Sequence, residues 1–218
     1  GHLAMSQVSL VAARIAALQQ AGSALALLQA TQELASCADA SAAPVLVEVL
    51  GFNNPGAAVA AVKGLISLGP AAVEALLQLD PVNYGARAWA VRALAGIGDV
   101  RGLELLLDAL GSEVAASVRR AAAKGLGQLQ LTELPPDQQQ DVQHQCLGAL
   151  LAATSDGEWV VRYAVAVGLE LLAAGLPAAG PERQLAQQGL LTLQEAAAGT
   201  PPVVQRRAKL ALSRLGLQ

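Results

Sequence analysis

One structural unit is written twice in succession between residues 82 and 129, and this repetition constrains the fold more than any other feature of the chain. The first copy, Tyr84-Gly85-Ala86-Arg87-Ala88-Trp89-Ala90-Val91-Arg92-Ala93-Leu94, aligns with Ala116-Ser117-Val118-Arg119-Arg120-Ala121-Ala122-Ala123-Lys124-Gly125-Leu126 at an offset of 32 residues. Between them Gly96-Ile97-Gly98-Asp99 makes a glycine-rich turn that leads into a leucine-rich helix, so the unit is helix, turn, helix. Extending the register outward puts the same pattern on Leu34, Leu65, Leu94, Leu126, Leu169 and Leu212, spaced by 31, 29, 32, 43 and 43 residues. A lone hairpin cannot bury its apolar stripe, whereas stacked hairpins share a continuous core.

The expectation is an all-α chain, a right-handed α-solenoid of about six HEAT-like helical hairpins. Composition agrees, because 54% of residues are apolar and only 2% aromatic, which leaves Ala, Leu and Val to build the core. Small side chains let helices approach closely, and Ala and Leu lead the helix-propensity scale. Strand-like alternation is absent. Helices are expected at 8–20, 23–36, 43–50, 57–68 and 71–79, then at 138–153 with a capped start after Pro135-Pro136, and at 159–173 and 203–215. Residues 5–218 read as a single repeat domain, and residues 1–4 as a cloning remnant whose His2 is discounted with it.

The net charge of −3 gives no basic excess of the kind nucleic acid requires, so no nucleic-acid partner is expected. Residues 131–200 carry eight acids and two bases, and residues 201–218 four bases and no acid. That asymmetry fits either electrostatic steering of a partner or an ordinary solvated helix face. No run of eighteen uncharged apolar residues occurs, so no transmembrane span is expected. Cys37 and Cys146 fit no paired-cysteine motif, which points to a reducing, cytoplasmic setting. His144 and Cys146 are two apart on one helix and so face different ways, which argues against a metal pair or a thiolate-imidazole pair. Phosphate-binding loops, HExxH and a paired-carboxylate site are not found, and no catalytic residue is assigned.

Superposing the second helices of the hairpins sorts scaffold from surface. Arg87, Arg119 and Arg162 fall at one position, each six or seven residues after an acid, Asp80, Glu113 and Asp156. A carboxylate in the turn and a guanidinium in the helix are expected to pair within each repeat and stack into a structural ladder. The remaining candidates are Tyr84, Trp89, Arg92, Arg120, Lys124, Trp159 and Tyr163, expected on the concave face that second helices line. Aromatic plates flanked by cations suit a flat, conjugated, anionic ligand or a protein surface, while Trp89 and Tyr163 fit equally as filler between repeats.

The run Asn83-Tyr84-Gly85-Ala86-Arg87-Ala88-Trp89, followed by Val118-Arg119-Arg120-Ala121-Ala122 and Glu158-Trp159-Val160-Val161-Arg162-Tyr163, resembles the E/F-type phycobilin lyases, most of all the F-type subunits that work with phycocyanin. The resemblance implies a lyase-type enzyme, active with an E-type subunit as heterodimer, that attaches an open-chain tetrapyrrole by a thioether to a cysteine of a phycobiliprotein subunit, with phycocyanin α expected as the client. It implies a phycobilin, phycocyanobilin or phycoerythrobilin, as substrate and no tightly bound cofactor. Relatives that also isomerise the bilin carry Asn-His-Cys, where this chain has Gln143-His144-Gln145-Cys146, so isomerase activity is not expected. The alternative is a non-catalytic chaperone or adaptor for a phycobiliprotein client.

Overall fold

The computed structural model describes residues 6–195 and 200–217, so the remnant expected at residues 1–4 lies outside the described residues. Twelve α-helices occur among the described residues: α1 Gln7–Gln19, α2 Ala24–Ser36, α3 Ala43–Val49, α4 Pro55–Leu68, α5 Val73–Leu77, α6 Tyr84–Ile97, α7 Leu103–Ser112, α8 Ala116–Gly127, α9 Pro136–Ala152, α10 Trp159–Ala174, α11 Pro181–Gln194 and α12 Pro202–Arg214. Consecutive helices pack in pairs, α1 on α2 through to α11 on α12, which gives the six hairpins expected. The chain divides into two compact units, Gly1–Ile97 and Gly98–Gln218.

In the first unit the second helices α2, α4 and α6 pack one on the next. Their register leucines Leu34, Leu65 and Leu94 are fully buried, each worth about 1.5–3 kcal/mol of transfer free energy. Short polar side chains start these helices. Ser23 accepts a hydrogen bond from the Ala26 amide and Asn54 one from Ala57, each filling an orphan donor at a helix N-terminus. Asn54 also donates to the Ala24 carbonyl at 3.1 Å, which fastens the start of α4 to the start of α2. Gly69, at φ 66°, ends α4 in a conformation open to glycine, and the chain turns through a short 3-10 segment into α5. The stretch Pro55–Leu77 is long and apolar enough to cross a membrane, but it is broken at Gly69 and half of its most apolar part is buried inside the protein.

In the second unit α8, α10 and α12 pack in the same succession around Leu126, Leu169 and Leu212. The contact between α8 and α10 is backbone on backbone. A Cβ on Gly127 would stand 2.5 Å from the Gly168 carbonyl oxygen, and one on Gly168 would stand 2.5 Å from that of Ala123. With no side chain at these two positions, the helices lie closer there than any larger residue would allow.

The expected boundaries differ mainly at prolines. Helices α4, α9, α11 and α12 each begin on one, because proline lacks the N–H that a first-turn residue leaves unpaired anyway. The helix expected at 57–68 therefore starts at Pro55. The start of α9 is not side-chain capped, as Pro135 in the cap position offers no acceptor side chain; Gln139 instead donates to the Leu134 carbonyl at 2.7 Å.

Candidate functional site

The arginine ladder exists in the second unit in a form the sequence did not suggest. Arg119 was expected to pair with Glu113 in its own repeat. Instead its guanidinium donates to the Glu113 and Val114 backbone carbonyls at 2.9 and 2.7 Å, and forks onto the carboxylate of Asp156, 37 residues on, at 2.9 and 3.1 Å. Arg162 repeats the first half, donating to the Asp156 carbonyl at 2.6 Å, and reaches Thr200 at 3.3 Å. Each arginine thus closes its own turn through backbone oxygens and ties it to the turn before the next second helix. The geometry is chemically reasonable, because the planar guanidinium has donors enough for both jobs. Burial pushes the Asp156 carboxyl up, but Arg119 and the Glu158 amide outweigh it and hold it below its ordinary value. The same hydrogen bond raises Arg119. In the first unit Asp80 caps its own turn by accepting from the Val82 amide, and Arg87 is half-buried on α6.

Four of the seven candidate contact residues lie in the second unit, on two helices that pack directly together. Arg120 and Lys124 occupy one turn of α8, and both are exposed. Among the described residues neither has a hydrogen-bond or ion-pair partner. Trp159, 43% exposed, and the half-buried Tyr163 occupy one turn of α10. The two helices run in the same direction, since Arg119 near the start of α8 meets Asp156 just before α10, and Gly127 at the end of α8 touches Gly168 in the second half of α10. Arg120 and Tyr163 therefore hold equivalent positions side by side, each six residues before its register leucine.

Charge is sorted by helix in this unit. The second helices α8, α10 and α12 hold eight cationic side chains and one acid, Glu170, and that acid is already taken by Arg207 at 2.9 Å and Arg214 at 3.5 Å. The first helices α7, α9 and α11 hold five acids and one base. The face carried by the second helices is consequently positive.

The other three candidates lie on α6 in the first unit. Tyr84 begins the helix and is 74% exposed. The Arg92 guanidinium sits 4.4 Å from the centre of the Trp89 ring, a cation–π stack within one turn. Both are half-buried, and burial lowers the Arg92 value. Register also identifies a residue the sequence reading passed over. Lys63 stands two residues before Leu65, as Arg92 does before Leu94 and Lys124 before Leu126. It lines a groove of about 330 Å³ between α2 and α4 with Gln32, Ser36, Val59 and Ser67. In the second unit the row six residues before the register leucines, which holds Arg120 and Tyr163, also holds Arg206, exposed and on α12.

Cys146 offers no thiolate. Cys146 is buried and its thiol is pushed up to about 12 by burial, while His144 on the same helix is exposed. Cys37 caps α2 and donates weakly to the Glu33 carbonyl. Charge, rings and unpaired donors are what this surface has to offer a ligand.

Known proteins match this chain in sequence and in fold. The family model for HEAT repeats matches residues 73–169. The chain is 53% identical to the phycocyanobilin lyase subunit beta of Pseudanabaena tenuis (strain PCC 7409), over 77% of this chain and 60% of that relative's length. It is 45% identical to the bilin biosynthesis protein RpcF of Synechococcus sp. (strain WH8020), over 97% of this chain and 99% of that one. Among solved structures, the complex of CpcE and CpcF of phycocyanin lyase from Nostoc sp. PCC7120 matches with a TM-score of 0.69 and 41% identity, covering 79% of this chain and 99% of the other.

Proposed function

This chain belongs to the family of the phycocyanobilin lyase beta subunits and RpcF, and on that premise we propose that it is one subunit of a two-subunit bilin lyase. Its partner is an E-type subunit, and the client is a phycobiliprotein subunit, phycocyanin α first among the candidates. The substrate is an open-chain tetrapyrrole, phycocyanobilin or phycoerythrobilin, held without any tightly bound cofactor, and the work is done in the cytoplasm.

The observation that carries the reading is the unpaired Arg120–Lys124 turn beside Trp159 and Tyr163 on the positive face of the second unit. A bilin brings two propionate carboxylates and a long conjugated system. Arg120 and Lys124 match the carboxylates, and Trp159 and Tyr163 match the π surface. In the first unit the stacked Trp89–Arg92 pair and the exposed Tyr84 offer the same chemistry. The nucleophile is the client's cysteine, in keeping with the inert Cys146 here. Its sulfur bonds to the exocyclic ethylidene carbon of the pigment, the double bond is consumed, and the thiol proton ends on the pigment, so nothing leaves. The contribution of this subunit is orientation, which alone supplies a large share of a bimolecular barrier.

Titration of phycocyanobilin into the purified chain, with and without an E-type partner, tests this through absorbance. A red-shifted, saturable band with the pair is expected. A pair that leaves the pigment spectrum unchanged while still binding the apo client would point to the chaperone or adaptor role instead.

A further inference from the structure

We infer that Arg206 on α12 is a second carboxylate anchor of the pigment face, one helix beyond Tyr163 and two beyond Arg120; the inference rests on the bilin reading above. The register leucines Leu126, Leu169 and Leu212 are spaced by 43 residues, and six residues before each stand Arg120, Tyr163 and Arg206. Their helices α8, α10 and α12 pack in that order. The row is thus cation, ring, cation.

Arg206 belongs to this row and not to the scaffold, and its sequence neighbour makes the contrast. Arg207 is fixed to Glu170 at 2.9 Å and is largely buried, as Arg119 is fixed to Asp156. In each adjacent pair of arginines, Arg119-Arg120 and Arg206-Arg207, one holds the stack together and the other is exposed. Among the described residues Arg206 has no hydrogen-bond or ion-pair partner, and the one acid on these three helices is occupied. Two guanidiniums left without counter-ions on either side of an aromatic ring call for a flat dianion with its charges at two places. A tetrapyrrole with two propionates has that pattern. Helices packed about 8–10 Å apart put the two arginine backbones about 16–20 Å from one another.

The test compares phycocyanobilin with its dimethyl ester, titrated by absorbance into the complex with the E-type partner. Arg206→Gln should weaken binding of the free acid about ten-fold, the loss of one charge-assisted contact. It should leave ester binding within about two-fold of wild type, with Arg206→Lys recovering part of the loss. The melting temperature should stay at the wild-type value, since no described partner is lost. Equal affinity of wild type and Arg206→Gln for the free acid would overturn the proposal while leaving the bilin reading intact. Equal weakening for acid and ester, a lowered melting temperature, or loss of the E-type partner would also overturn it, by making Arg206 a packing or interface residue. A wild-type complex that binds neither pigment would overturn the bilin reading and this proposal together.

Discussion

The second helices of the two units share one leucine register and use it differently. In the first unit the positions six before each leucine are Leu28, Val59 and Ala88, and those two before are Gln32, Lys63 and Arg92. In the second unit the first row is Arg120, Tyr163 and Arg206, and the second is Lys124, Val167 and Leu210. A scaffold needs only the leucines and the small residues around them, so the side chains on these two rows are open to whatever each unit must contact. The units also differ in what holds them. Partly buried ion pairs tie successive turns and helices in the second, Arg119 to Asp156 and Arg207 to Glu170. In the first, the Arg14–Glu33 pair lies at the surface.

The packing seams give the sharpest test of that difference. Gly127→Val should destabilise the second unit by about 3 kcal/mol, because the new side chain meets the Gly168 backbone and neither helix can yield. Gly96→Ala in the first unit places a Cβ equally close to a neighbour, but that neighbour is the end of the Ile66 side chain, which is itself exposed. It should be close to neutral, a rotamer shift offset by the roughly 1 kcal/mol gain in helix propensity. Urea unfolding of both variants checks the ranking, and similar losses in the two would erase the distinction.

Asp156→Ala should cost about 2 kcal/mol by leaving Arg119 half-buried without its carboxylate. Its sign with pH follows from linkage. The folded value lies below the ordinary 3.8, so the stabilisation is present above that pH and is lost as pH falls through the folded value. Acid unfolding curves of wild type and variant should therefore converge below about pH 4. Curves that stay parallel would mean Asp156 is not paired in solution. Arg14→Ala, which removes an exposed pair in the first unit, should change stability by less than about 0.5 kcal/mol, measured by urea unfolding.

Much of the scaffold was legible in the sequence, because a repeated leucine reports a repeated burial site. All six register leucines are buried. What the register could not report was which repeat supplies a partner. Glu113 and Asp156 each precede an arginine by six residues, so pairing within the repeat looked natural. In three dimensions the carboxylate that Arg119 grips comes from 37 residues away, since stacking brings the next repeat's turn within its reach. Among the candidate contacts, Arg120 and Lys124 are exposed on one turn, as helical spacing implies. Trp89 was open between filler and ligand plate, and it is half-buried under Arg92. Arg206 and Lys63 were visible only once the leucine register was carried to every second helix.

The central claim is that the unpaired cations of the second unit grip the pigment's carboxylates, and the most direct measurement is the affinity of the Arg120→Ala, Lys124→Ala double variant for phycocyanobilin in complex with the E-type partner. Two lost charge-assisted contacts predict binding weaker by about 100-fold with an unchanged urea midpoint. Affinity within about two-fold of wild type, or a fold that fails along with binding, would contradict the account.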